Sequence, residues 1–150
     1  MSARFVVEAD GGARGNPGPA AYGAVVLIDG VPVRYLGGAL GVATNNVAEY
    51  RGVLAGLTWI ATQETAAHVE ARLDSKLVVE QMSGRWKIKH PDMRMLAAQV
   101  HAAYPPELVR YTWVPRARNT RADALVNEVL DARDDSYVID RPGRTPHRID

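Results

Sequence analysis

Four acidic residues stand where a folded chain could bring them together: Asp10, Glu49, Asp74 and Asp123. Asp10 follows the apolar run Phe5-Val6-Val7 and opens the glycine- and proline-rich stretch DGGARGNPGPAAYG, residues 10–23. Asp74 closes a second run, AHVEARL, residues 67–73. Glu49 follows Thr44-Asn45-Asn46 early in a helix-like segment, and Asp123 follows Asn119 early in another. Carboxylates crowded into one site repel each other, and their pKa values rise unless a cation intervenes. Oxygen donors suit Mg2+ or Mn2+, and the chain has no cysteine to build a thiolate site. Two such ions, roughly 3.5–4 Å apart, form the clamp used for in-line phosphoryl displacement.

Each acid taken singly has an ordinary structural alternative. Asp10 before Gly-Gly can shape a turn, Glu49 can partner a helix cap, Asp74 can be an N-cap, and Asp123 can complement a helix dipole. That all four fall by chance at converging element ends is much harder to arrange.

The elements that must position them follow from periodicity. Arg4 to Ala9 reads as a strand, and Tyr22 to Ile28 as a second. Asp29-Gly30 is a hairpin signal, and Val31 to Leu40 returns as a third strand, with Pro32 marking an edge or a strand start. Apolar residues then recur at Val47, Tyr50, Val53, Leu54, Leu57 and Ile60, the stripe of an amphipathic helix. Asn46 and Glu49 have the spacing of a capping pair. Ala67 to Leu73 is a fourth strand, Ser75 opens a short helix ended by Gly84, and Met93 to Ala103 is helical. Leu108 to Val114 is a fifth strand, and Asn119 to Ala132 a last helix.

The order βββαβα(α)βα predicts an α/β domain. Its five-stranded mixed sheet has three antiparallel leading strands, then parallel crossovers, with flanking helices. Asp10 and Asp74 then leave adjacent parallel strands at the same edge, where open α/β sheets place their ligands. Residues 1–133 form the expected domain, and 134–150 read as a tail or linker.

Composition narrows the classes. The 150 residues are 47% hydrophobic and 23% charged, the balance of a globular chain. No apolar run reaches the roughly 20 residues of a membrane helix. MSARFVVEAD lacks a signal-like segment, and the absence of cysteine suits a reducing compartment, so the expectation is a cytoplasmic protein without membrane partners. Net charge is only +1, but Arg85 to Arg121 holds eight Lys or Arg against Asp92 and Glu107. That excess could face a polyanion or form an ordinary solvated face.

The joined motifs resemble ribonuclease H type 1. DGGARGNPGPAAYG resembles the first motif of that family, TNNVAEY (44–50) the second, LDSKLVVEQMSG (73–84) the third and WVPRARNTRADAL (113–125) the fourth. The resemblance spans about residues 4–132 in the family's order. VVEQMSGRWKIKHPDM is especially similar to the N-terminal ribonuclease H domain of bacterial proteins that continue into an acid-phosphatase-like domain.

The resemblance implies the ribonuclease H-like fold and hydrolysis of the RNA strand of an RNA–DNA hybrid, leaving 5′-phosphate and 3′-hydroxyl ends. It implies two Mg2+ ions held by Asp10, Glu49, Asp74 and Asp123, with Mn2+ as a substitute. It also implies a linked C-terminal phosphatase-like domain as a covalent partner. Gly11, Gly12, Gly15 and Asn16 would bring backbone and a small amide to the minor groove, where the 2′-hydroxyl distinguishes RNA. Asn45 and Asn46 are candidates for base-edge or sugar contacts, and Thr44 for a DNA-strand phosphate. Ser75 and Asn119 join the substrate-binding set.

Two departures stand out. The connector GRWKIKHPDMRML is too short for the extra basic helix of many relatives, so Arg85, Trp86, Lys87, Lys89 and His90 are the candidates to grip the DNA strand. Packing of Trp86 against the sheet is the alternative. The loop PRARN also lacks the family's mobile histidine; Arg116 or Arg118 can act there electrostatically, but not as proton shuttles. Rival readings are another two-metal nuclease and a non-catalytic hybrid-binding module. A P-loop is weaker, because GGARGNPG lacks the Gly-Lys-Ser/Thr ending.

Overall fold

The computed structural model describes residues 3–145. In chain order its first half comprises β1 (Phe5–Ala13), β2 (Gly18–Ile28), β3 (Val31–Ala43), α1 (Asn45–Gln63) and β4 (Val69–Leu73). The second half adds α2 (Lys76–Met82), α3 (Pro91–Ala103), β5 (Val109–Trp113), α4 (Thr120–Ala132) and β6 (Val138–Pro142). One mixed sheet runs β5-β4-β1-β2-β3-β6. The β1-β2-β3 meander is antiparallel, as is the β3–β6 pair, whereas β1–β4 and β4–β5 are parallel. Asp29 and Gly30 both take positive φ, the conformation a two-residue hairpin turn with the native strand twist demands.

Alternation along the strands gives the sheet two faces. Val7, Ala24, Val26 and Leu73 pack with Tyr50, Val53 and Leu57 of α1 and Val100 of α3. Val6, Val25 and Leu27 meet Leu125, Val126 and Val129 of α4 on the other face. Each helix thus has an apolar side to bury, and the sheet is sandwiched. Among the described residues no helix is long and apolar enough to cross a membrane.

The sheet has six strands where the sequence predicts five. The sixth lies in the stretch 134–150 read as tail; residues 146–150 of that stretch are outside the described residues. Here β6 pairs with β3 from Arg34↔Pro142 to Gly38↔Val138. Ile139 alone of this strand is buried, beside Val129 and Leu125. Ion pairs Arg34–Asp140 and Arg141–Glu128 fix its outer residues. An edge strand needs one buried side chain and tolerates a terminal proline, so hydrophobic periodicity carries almost no sign of it. Pro32 proves to mark a strand start, since β3 is flanked on both sides.

Candidate metal centre and its flanking groove

The parallel ladder between β1 and β4 stops at Ala9↔Leu73, so Asp10 and Asp74 are the next residue on each strand. The first strand itself does not end there: β1 continues against β2 to Ala13. Glu49 arrives from α1. The Thr44 hydroxyl, not Asn46 with Glu49, caps that helix by accepting from Val47 N at 3.3 Å. The helix therefore begins at Asn45, and Glu49 lies in its second turn, with no capping duty. Its close approach depends on Gly11, where a Cβ would sit 2.1 Å from the Ala48 carbonyl carbon. Gly23 likewise lets α4 down onto β2, because a Cβ there would lie 2.6 Å from Ala122 O.

One carboxylate oxygen each from Asp10, Glu49 and Asp74 falls within a 4.8 Å span. Asp10 and Glu49 are only 5% and 6% exposed. Burial first, and then the Asp74 charge, push the Asp10 pKa up to about 7. Burial and then the Asp10 and Asp74 charges hold Glu49 well above the usual carboxylate range. Glu49 Oε2 is buried without a hydrogen-bond partner. An orphaned oxygen among mutually repelling acids is costly unless a cation completes it, and hard oxygen donors fit a divalent ion. Asp123, in the first turn of α4, stands outside this tight trio but lines the same cavity of about 500 Å³. Asn127 Nδ2 donates to Asp123 Oδ2 at 3.3 Å, and Arg116 Nη2 lies 4.0 Å from its Oδ1.

Six further residues of the expected set, Gly11, Gly12, Asn45, Asn46, Ser75 and Arg116, also line that cavity. Asn16 Oδ1 accepts from Asn45 N at 3.0 Å, while Asn45 Oδ1 accepts from Ala13 N at 2.8 Å. These bonds lace the β1–β2 loop to the start of α1. Gly15 is exposed in that loop with φ +89°. Ser75 caps α2, accepting from Val78 N at 3.3 Å.

Other expected residues stand elsewhere. Asn119 is fully buried; its amide donates to Ala9 O at 2.8 Å and to Asp74 Oδ2 at 3.4 Å. Its backbone carbonyl accepts from Asp123 N at 3.1 Å, and its side-chain Oδ1 is buried without a partner. Its side-chain amide thus links the end of the β1–β4 ladder to Asp74 from within the fold. Trp86, Lys87, Lys89 and His90 are exposed, and none lines the acid cavity. His90 caps α3 by accepting at Nδ1 from Asp92 N, and Arg85 pairs with Glu80. Arg118 is exposed on the short 3₁₀ turn Arg116–Arg118. Sequence reasoning missed two polar residues of the cavity, Arg14 and Asn127. Asn127 carried a usable signal, its i+4 spacing from Asp123; Arg14 was hidden among turn formers.

Comparison with known proteins agrees with this geometry. A family model described as reverse transcriptase-like matches residues 8–129. The chain is 53% identical over 140 residues to the bifunctional protein Rv2228c of Mycobacterium tuberculosis, covering 91% of this chain and 38% of that protein. The solved N-terminal RNase H domain of Rv2228c superposes with a TM-score of 0.79 over 87% of this chain and 96% of that one. Ribonuclease HI of Halobacterium salinarum is 44% identical over 126 residues, covering 81% of this chain and 62% of that protein. LC11-RNase H1, solved in complex with an RNA/DNA hybrid, is 34% identical with a TM-score of 0.80, over 87% and 99% of the two chains. The chain belongs to the ribonuclease H family, in its type 1 branch. It spans well under two thirds of the length of Rv2228c.

Proposed function

We propose that this chain is an endonuclease that hydrolyses the RNA strand of RNA–DNA hybrids, leaving 5′-phosphate and 3′-hydroxyl ends. The observation that carries the reading is the trio Asp10, Glu49 and Asp74, with a buried, unpartnered Glu49 oxygen at the floor of an open groove. Those three acids and Asp123 would hold two divalent ions, Mg2+ or, as a substitute, Mn2+. Bound there, the ions supply Lewis-acid stabilisation of a phosphoryl group and lower the pKa of a water nucleophile.

The protein's own contribution is placement. Asn119 orients Asp74 from behind, and Asn127 and Arg116 flank Asp123. Gly11 lets α1 bring Glu49 in, and Gly12 leaves its part of the cavity lining without a side chain, so a sugar edge can approach the backbone there. Asn45 and Asn46 on the wall are the groups suited to a 2′-hydroxyl, which both donates and accepts. The relative Rv2228c is named bifunctional and is longer than this chain; a linked phosphatase-like domain and a cytoplasmic location complete the proposal.

Substrate discrimination tests it. Labelled hybrid, duplex DNA and duplex RNA are offered in Mg2+, and the product ends are mapped. The reading requires cleavage of the hybrid's RNA strand alone, with 5′-phosphate ends. Preferential cutting of duplex DNA would assign the site to a different two-metal nuclease.

A further inference from the structure

Two cations line the acid cavity, Arg116 and Arg14. Arg14 sits on the β1–β2 loop, and its backbone is held firmly: its N–H donates to Pro19 O at 2.9 Å, and a Cβ at Gly18 would collide with its carbonyl oxygen at 2.1 Å. Only the side chain has freedom. It reaches across the groove to Asp131, near the C-terminal end of α4, where Nη2 pairs directly with Oδ1. Asp131 is not among the residues lining the cavity.

We propose that Arg14 binds a phosphodiester of the strand lying in the acid cavity, next to the scissile one, and that Asp131 occupies it until that strand arrives. The inference rests on the hybrid-cleavage reading above. Divalent ions held by the four acids would serve the reacting phosphate and would leave the neighbouring phosphates of the same strand without a positive partner. A guanidinium presents a planar fork that fits a phosphate's oxygens as well as a carboxylate's. The pair it would give up is cheap, since the two side chains are 46% and 68% exposed and water screens them. Exchange of one acidic partner for another therefore costs little, while the rigid loop keeps the guanidinium near the groove.

A purely structural tie between hairpin and α4 makes the opposite forecast for one of the two partners, and this separates the readings. Binding of a short labelled RNA–DNA hybrid is measured by anisotropy in Mg2+, with Asp74→Asn in every variant so that the strand stays whole. Arg14→Ala should raise Kd about 3- to 10-fold and flatten the salt dependence by about one ion. Asp131→Asn should lower Kd about 2- to 5-fold, because the same arginine is released. The double variant should bind like Arg14→Ala. Arg14→Lys should keep part of the affinity, since the charge remains without the fork.

The proposal is overturned if Asp131→Asn weakens binding or leaves it unchanged, or if Arg14→Ala has no effect. It is also overturned if both single changes weaken binding together with a matching fall in Tm. The wild-type chain is assayed for hybrid cleavage alongside. Absence of cleavage removes the proposed function; cleavage without the opposed effects of the two variants removes the role of Arg14 alone.

Discussion

The acid cavity and the connector from Gly84 to His90 are both rich in charge, yet they are built in opposite ways. In the cavity Asp10 and Glu49 are buried and Asp74 half-buried; the three converge from α1, β1 and the end of β4, and Glu49 Oε2 is left unpartnered. In the connector they are exposed, and several are occupied locally. Arg85 holds Glu80 and His90 caps α3, while Arg94, just beyond in α3, donates to Ile88 O of the connector. Unsatisfied burial stores a cost that only a ligand can relieve, whereas an exposed charge with a neighbour has its explanation already. The difference separates a site from a surface more sharply than charge content does.

The strongest way to break this contrast is Asp74→Asn, which removes one charge from the trio and keeps its shape. Hybrid cleavage should fall by about 10³-fold or more while circular dichroism stays native; retained activity would make the trio incidental. Asn119→Ala comes next. It takes the amide from Ala9 O and Asp74, and should cost about 10- to 100-fold in activity or metal affinity, with about 1–3 kcal/mol of stability. Mg2+ affinity by calorimetry and a urea titration read the two parts, and an effect on neither would leave Asn119 as filler.

A smaller effect concerns acidity. Burial and then the Asp74 charge push the Asp10 pKa up to about 7, from an ordinary 3.8. Between those values the folded state binds more protons than the unfolded one, so stability falls as pH rises through the window. Divalent ions replace the protons, and the rise in Tm on adding Mg2+ should be larger at about pH 8 than at about pH 5. Equal shifts at both would mean that the acids are not the binding site. The mildest change is expected in the connector. Lys87→Ala with Lys89→Ala should weaken hybrid binding a few-fold and flatten its salt dependence, with turnover unaltered. An unchanged salt slope would leave those lysines to solvent.

Most of the scaffold was legible because its elements carry clear apolar signatures: short continuous runs bounded by turn residues in β1 and β2, and a stripe from Val47 to Ile60 in α1. The acids were legible because each stands just after an apolar strand run or early in a helix, so topology alone nearly converges them. Three features were not. Strand β6 has a single inward residue, Ile139, and its pairing depends on β3 being present. Asn119 reads as a substrate-binding residue, since nothing local reveals that its amide reaches Ala9 O and Asp74. Arg14 meets Asp131 across 117 positions of sequence, a distance no local pattern spans. The capping of α1 by Thr44 shows a subtler limit, because Thr44 and Asn46 are both good caps and the loop decides between them.

The central claim is that the buried acids work by holding divalent ions that cleave RNA in a hybrid. The most direct measurement follows an end-labelled RNA strand, paired to DNA, with wild-type protein in Mg2+, after EDTA, and after Mg2+ is restored. The account predicts cleavage, complete loss and full recovery, in that order. Cleavage that persists in EDTA would contradict it.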